Sequence, residues 1–276
     1  MAGKLTYFRT ICADLKIGLR FSFLGAIFGV TLGFCFDNLS DLLISINNPL
    51  VYAEGSVICV MYYFFNSFSF GGVFSTYFAT IMATIPYSTS YCQEVEGGMS
   101  VYKIARCGTK NYARSKFLVA SLLGGLTIFG GSLIFILALG TYLPTVTPAK
   151  IYESYGIPFY SALTTGNGTA YFIIVLYITF LGGALWASVG LCASAYFPSI
   201  YVAVSAPFIF RFILTQIGRL LKLPNGLRLE LLLSARGIIY SDSVTLVTTT
   251  LIVVLFILIC YRLFSKRIER SIRNVE

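Results

Sequence analysis

From Gly55 to Gln93 the chain carries no charged side chain. A helix that crosses a bilayer needs about 20 consecutive, mostly apolar residues, and this run exceeds that length. Comparable runs recur along the chain at 17–36, 57–85, 117–143, 170–196, 200–217 and 243–261. They predict an all-α integral membrane protein with six transmembrane helices, forming a single transmembrane domain over 1–276. Composition agrees: 57% of the 276 residues are hydrophobic and 11% charged, where a soluble domain carries about 25% charged residues. Mean hydropathy is +0.82. So much apolar surface requires lipid as its solvent, and no polar stretch is long enough for a second globular domain.

Ahead of the first run, Leu5, Phe8, Cys12, Leu15 and Leu19 are spaced 3, 4, 3, 4, with Lys4, Arg9, Asp14 and Lys16 between them. This pattern predicts an amphipathic helix over 1–16 lying in the cytoplasmic interface, with Arg20 snorkelling. No small-residue cleavage site follows the apolar run that ends at Asp37-Asn38, so the first run reads as a retained span. Phe197-Pro198-Ser199 separates the fourth and fifth runs, because proline cannot continue a helical hydrogen-bond ladder. The mixed stretch 218–242 reads as an outer re-entrant or surface-lying hairpin.

Orientation follows from Lys and Arg. Lys4, Arg9, Lys16 and Arg20, the set from Lys103 to Lys116, and the set from Arg262 onward fall on one side. Lys150, Arg219, Lys222, Arg228 and Arg236 fall on the other. The richer side is cytoplasmic and holds both termini, which predicts a multi-pass protein of the cell membrane. The net charge of +9 is accounted for by this asymmetry and needs no nucleic-acid partner.

Signals for catalysis and metal binding are missing. There is no histidine, the 7 cysteines are scattered singly, and no GxxxxGK[ST] run exists to cradle a phosphate. The chain is expected to be no enzyme by itself and to hold no cofactor. No carboxylate falls inside an apolar run, whereas self-powered carriers keep ionisable groups at mid-membrane. Energy is therefore expected from a partner.

The segment from Glu94 to Lys116 carries the most information. Glu94 and Glu96 lead and Lys103 and Arg106 follow, a polarity that complements a helix dipole. Val101, Ile104 and Ala105 can share one face, and Gly108 ends the helix. A solvated loop obeying the positive-inside bias is the competing reading. The acidic turn, the short glycine-containing helix, and then Arg106, Gly108, Tyr112, Ser115 and Lys116 entering the third span together resemble the coupling region of ABC transporter type-2 permeases. Gly183, Ser188, Tyr196, Pro198, Tyr201 and Pro207 resemble that family's fourth and fifth spans.

The resemblance implies a permease subunit that pairs with a second copy or a homologous permease and with two ABC ATP-binding subunits. ATP and Mg would be held by those partners. The coupling residues would be Glu94, Glu96, Tyr102, Ile104, Arg106 and Gly108. The second apolar run adds a possible substrate path of Tyr63, Asn66, Phe70 and Phe74, joined by Arg211 in the fifth. These groups suit an amphipathic or hydrophobic cargo. Equally, the aromatics can pack against lipid, Ser67, Gly71 and Ser75 can form a small-residue contact face, and Arg211 can pair with backbone carbonyls. Gly124-Gly125, Gly130-Gly131 and Gly182-Gly183 are expected to allow close helix packing. Two other function classes stay open: a channel or secondary carrier without an ATPase, and a membrane scaffold or immunity protein.

Overall fold

The structure is a computed structural model that describes residues 2–47, 59–69, 77–146, 159, 162, 168–237 and 239–273. All regular elements among them are helical. In chain order they are α1 (Ala2–Gly18), α2 (Phe21–Asp37), α3 (Leu39–Asn47), α4 (Val60–Ser69), α5 (Ala79–Met82), α6 (Ser90–Glu96), α7 (Met99–Cys107) and α8 (Thr109–Gly140). Then follow α9 (Gly168–Tyr196), α10 (Ile200–Leu220), α11 (Leu229–Leu233) and α12 (Asp242–Arg273).

Among the described residues four helices, α8, α9, α10 and α12, are long and apolar enough to cross a membrane. Tyr7–Gly18 and Phe21–Asp37 pass the same test as a pair bent by 56°, which makes up to five. The bend falls at Leu19-Arg20, so the N-terminal helix runs slightly further than 1–16 before the chain turns. Its packing differs from the expected stripe. Phe8 and Leu19 are exposed, while Asp14 and Gly18 are buried and Ile11 and Leu15 pack on the core. The inward face is thus Ile11, Asp14, Leu15 and Gly18, and it includes a carboxylate.

The expected second span, 57–85, is described only in part, and its last described residues leave helix for turns. α4 covers its start. After the undescribed 70–76, a short π turn at 77–78 leads into α5, and turns occupy 83–89. Local chemistry explains the break. Pro86 offers no N–H and its ring opposes a continuing helix. Thr80 donates to the carbonyl of Tyr77 at 2.5 Å and Thr84 to that of Ile81 at 2.7 Å, side-chain bonds that compete with the helical ladder.

The third, fourth and fifth expected spans correspond to α8, α9 and α10. α8 begins well before 117, at Thr109, and α12 continues through Arg262, Lys266 and Arg270 beyond the expected end at 261. α9 is the central helix: 78% of its apolar window is buried, against 11% for α10 and 22% for α12. It meets α8 backbone to backbone. A Cβ at Gly183 would lie 2.4 Å from the carbonyl of Gly124, and one at Gly124 would lie 2.3 Å from Cβ of Ala187. Only glycine fits there, as small-residue packing in lipid predicts. Gly131 serves the same purpose against Val30 of α2, whereas a Cβ at Gly182 meets nothing nearer than 3.8 Å.

The stretch after α10 folds back on the bundle. A 3-10 turn (Asn225–Leu227) precedes α11, whose Leu229, Leu232 and Leu233 are buried. Arg228 and Glu230 pair at 2.7 Å, which balances the two charges nearest that buried edge.

Candidate functional site

α6, α7 and the start of α8 build the site. The expected single helix from Glu94 to Gly108 is in fact two, divided at Gly97-Gly98. Gly98 takes φ 67° and Gly108 takes φ 79°, a region that side-chain-bearing residues enter only at a cost of about 1–2 kcal/mol. The N–H of Gly108 donates to the carbonyl of Ile104 at 2.8 Å and closes α7. Two glycines therefore set off a nine-residue helix between two others.

The outward side of α7 carries Met99, Val101 and Tyr102, which are 61%, 65% and 76% exposed. Ala105 and Arg106 are exposed as well, as is Glu96 at the end of α6. Ile104 differs from expectation: it turns inward and packs against the core, so it anchors α7. Val101, Ile104 and Ala105 do not form one presented face.

Beneath α7 lies a cluster of charges. Lys116 of α8 is fully buried, with its Nζ 2.6 Å from Oε1 of Glu94 and 3.8 Å from Oδ1 of Asp14. It also donates to Oγ of Ser90 at 3.1 Å and lies over the rings of Tyr87, at 4.6 Å, and Tyr112, at 5.9 Å, within cation–π range. Lys103 of α7 donates to Glu94 Oε1 at 2.5 Å and lies 3.6 Å from Asp14. The Tyr112 hydroxyl donates to Glu94 Oε2 at 2.7 Å, and the Ser115 hydroxyl donates to Asp14. Two ammonium groups face two carboxylates, so the cluster is neutral, and it ties α1, α6, α7 and α8 together.

Burial alone would raise the Glu94 carboxyl. The ammonium groups of Lys116 and Lys103, with the Tyr112 hydroxyl, outweigh burial and hold it below the usual carboxylate range. Burial would likewise lower Lys103, but Glu94 and Asp14 hold its ammonium above the ordinary range.

Glu94 was expected among docking residues. It is buried, and both its oxygens are engaged inside the molecule. Of the residues that carry the family resemblance, Gly108 sets the end of α7. Tyr112, Ser115 and Lys116 all turn into the cluster, and Arg106 faces outward. Asp14 is the member that sequence reasoning missed. Its signal was its place at i+3 from Ile11 and i−4 from Gly18, on the face that packs inward.

The possible substrate path is only partly assembled. Tyr63 is buried in the core, where its hydroxyl donates to the carbonyl of Asp41 at 3.3 Å, and Asn66 is half-buried. Phe70 and Phe74, with Gly71 and Ser75, lie outside the described residues. Ser67 is a contact residue as expected, accepting from Asn38 at the C-terminal end of α2. Arg211 borders a cavity of about 40 Å³ that is also lined by Phe68, Trp186, Gly182 and Ser234. Its guanidinium lies 5.8 Å from the Trp186 ring. Among the described residues no group of three or more His, Cys, Asp or Glu is placed to hold a metal. Comparison with models of protein families, with curated proteins and with solved structures returned no match to this chain.

Proposed function

We propose that this chain is the membrane permease subunit of an ATP-driven ABC exporter for an amphipathic or hydrophobic substrate. In this reading it has six spans and cytoplasmic termini. It pairs with a second permease, identical or homologous, and is powered by separate ATP-binding subunits that carry the ATP and Mg. The observation that carries the reading is the construction of α7. Its outer side offers Met99, Val101, Tyr102 and Arg106, an apolar and basic surface that gains from being covered by a partner. Its inner side is locked to the bundle through Lys103, Glu94, Lys116 and Asp14.

Such a joint suits the transmission of force. When the ATPase subunits close on nucleotide, α7 is displaced as a rigid piece between its two glycines. The Lys103–Glu94–Lys116 chain passes that displacement to α8, and Asp14 passes it to α1. α8 contacts α9 backbone to backbone at Gly124 and Gly183, so little of the motion is lost in side-chain rearrangement. The chain's own work is to couple and to form the path; the phosphate chemistry belongs to the partner.

The test is affinity purification of the tagged full-length chain from its native membrane in mild detergent. An ATPase subunit with a phosphate-binding loop should co-purify with wild type. Tyr102→Ala combined with Arg106→Glu should lose it while the chain still inserts. A preparation free of any ATPase, or undiminished association in the double variant, would refute the reading.

A further inference from the structure

The polar groups of the cavity beside Arg211 are its guanidinium, the Trp186 indole and the hydroxyls of Thr179 and Ser234, set in an apolar and glycine lining. Arg211 stands in the middle of α10, an apolar helix, where a cation is retained only if something answers its charge. Among the described residues its side chain has no ion pair and no hydrogen-bond acceptor; its one contact of that kind is the face of Trp186. Glu230, whose field reaches Arg211, is already bonded to Arg228 at 2.7 and 2.8 Å. The guanidinium and the Trp186 indole N–H can only donate. The hydroxyls of Thr179 and Ser234 donate to the carbonyls of Leu176 at 2.7 Å and Leu231 at 3.2 Å, which leaves the guanidinium and the indole as the donors that face the cavity. The cavity of about 40 Å³ is several times the roughly 10–15 Å³ that admits one water. Gly182, which contributes no side chain, forms one wall.

We propose that this cavity binds a carboxylate or phosphate group at the head of an amphipathic molecule, with Arg211 and Trp186 as its donors. The tail has a surface to follow. Ile209, Phe212 and Ile213, on the turns either side of Arg211, are 50%, 48% and 47% exposed. The inference deepens the permease reading by naming the head-group chemistry of the cargo, and rests on that reading only for calling the occupant a cargo. A bilayer lipid phosphate offers the same chemistry, and the experiment separates the two.

Trp186 is the one tryptophan of the chain, so its fluorescence reports on this cavity. The purified full-length protein in a neutral maltoside detergent is titrated with decyl phosphate and with decanoate. Decanol and decyltrimethylammonium serve as neutral and cationic controls. The two anions should change Trp186 emission saturably and the controls should not. Arg211→Gln should weaken anion binding at least tenfold. Gly182→Ala should do so too while keeping the arginine, because its new methyl meets its neighbours at no less than 3.8 Å and so fills the cavity without a clash. Equal responses to decanol and decyl phosphate, or unchanged anion affinity in both variants, would overturn the proposal. In phosphatidylcholine nanodiscs, competition by added phosphatidylglycerol supports the site with a lipid as its occupant. Binding of decyl phosphate without such competition supports it with a cargo head group as occupant. No ATPase is needed here, so failure of this titration leaves the permease reading standing, and failure of co-purification leaves the anion site standing.

Discussion

Lys116 and Arg211 are both cations drawn into an apolar bundle, and their surroundings are opposite. Lys116 has two carboxylates, a serine hydroxyl and two aromatic rings around its ammonium. Arg211 has one aromatic face and a cavity. A buried charge with a full complement of partners is part of the framework, because removing either side strands the other. A charge in an apolar helix whose donors meet no acceptor among the described residues is an expense that framework packing does not explain, and it marks a place built for something else. The first arrangement holds α7 to the bundle; the second leaves a polar opening between α9 and α10.

The comparison breaks most readily at the cluster. Replacing Lys116 with Met should be the most destabilising single change here, by about 3–5 kcal/mol, since the buried Glu94 and Asp14 would be left with the one ammonium of Lys103 between them. Thermal unfolding of the detergent-solubilised protein measures it. Adding Glu94→Gln should restore part of the loss; a Lys116→Met variant as stable as wild type would show that the cluster is not framework. Acid sharpens the same point. Glu94 titrates below its ordinary value in the folded chain, so its contribution is complete above about 4.5 and is lost as pH falls through the depressed value. Lys103 is raised, so its contribution is complete below its ordinary value and is lost as pH rises through the folded one. Unfolding curves between pH 3 and pH 6 should show an acid limb that is shallower in Glu94→Gln.

Gly98→Ala and Gly108→Ala come next in size. Each forces a side chain to a positive φ and should cost about 1–3 kcal/mol, read in the same melts. If neither variant changes the melting point, α7 is not held in the conformation described. The smallest effect belongs to Arg211→Gln, which should leave stability unchanged or slightly raised, because it removes an unanswered charge and breaks no ion pair. A marked loss of stability in this variant would move Arg211 into the same class as Lys116 and erase the contrast.

Much of the fold was legible because lipid imposes long, monotonous apolar runs. The helices over 170–196 and 200–217 could be bounded almost to the residue, with Pro198 marking the break between them. The run at 57–85 gave no sign of where its helix ends, because hydropathy registers apolar content and not helix continuity. Pro86 and the back-bonding threonines Thr80 and Thr84 interrupt that helix without lowering its hydropathy. Gly108 announced the end of α7 through local chemistry, whereas the division at Gly97-Gly98 went unread and the helix was expected to run from Glu94. The cluster beneath it could not be read the same way. Asp14, Glu94, Lys103 and Lys116 come from four helices, and only the packing of α1 against α8 makes them neighbours. From spacing alone Asp14 belonged to the polar side of an interfacial helix and Ile104 to a presented face, and tertiary packing reversed both. Arg211 was visible as an anomaly, but the cavity beside it is a product of tertiary packing.

In the function proposed above, α7 is the point at which a separate ATPase drives this chain. Co-purification from native membranes tests it most directly, comparing wild type with Tyr102→Ala/Arg106→Glu, in which only exposed side chains of α7 are altered. The account predicts that an ATP-hydrolysing subunit accompanies the wild type and is lost from the double variant, while melting temperature and membrane insertion stay unchanged. Equal recovery of the ATPase with both proteins, or its absence from both, would contradict it.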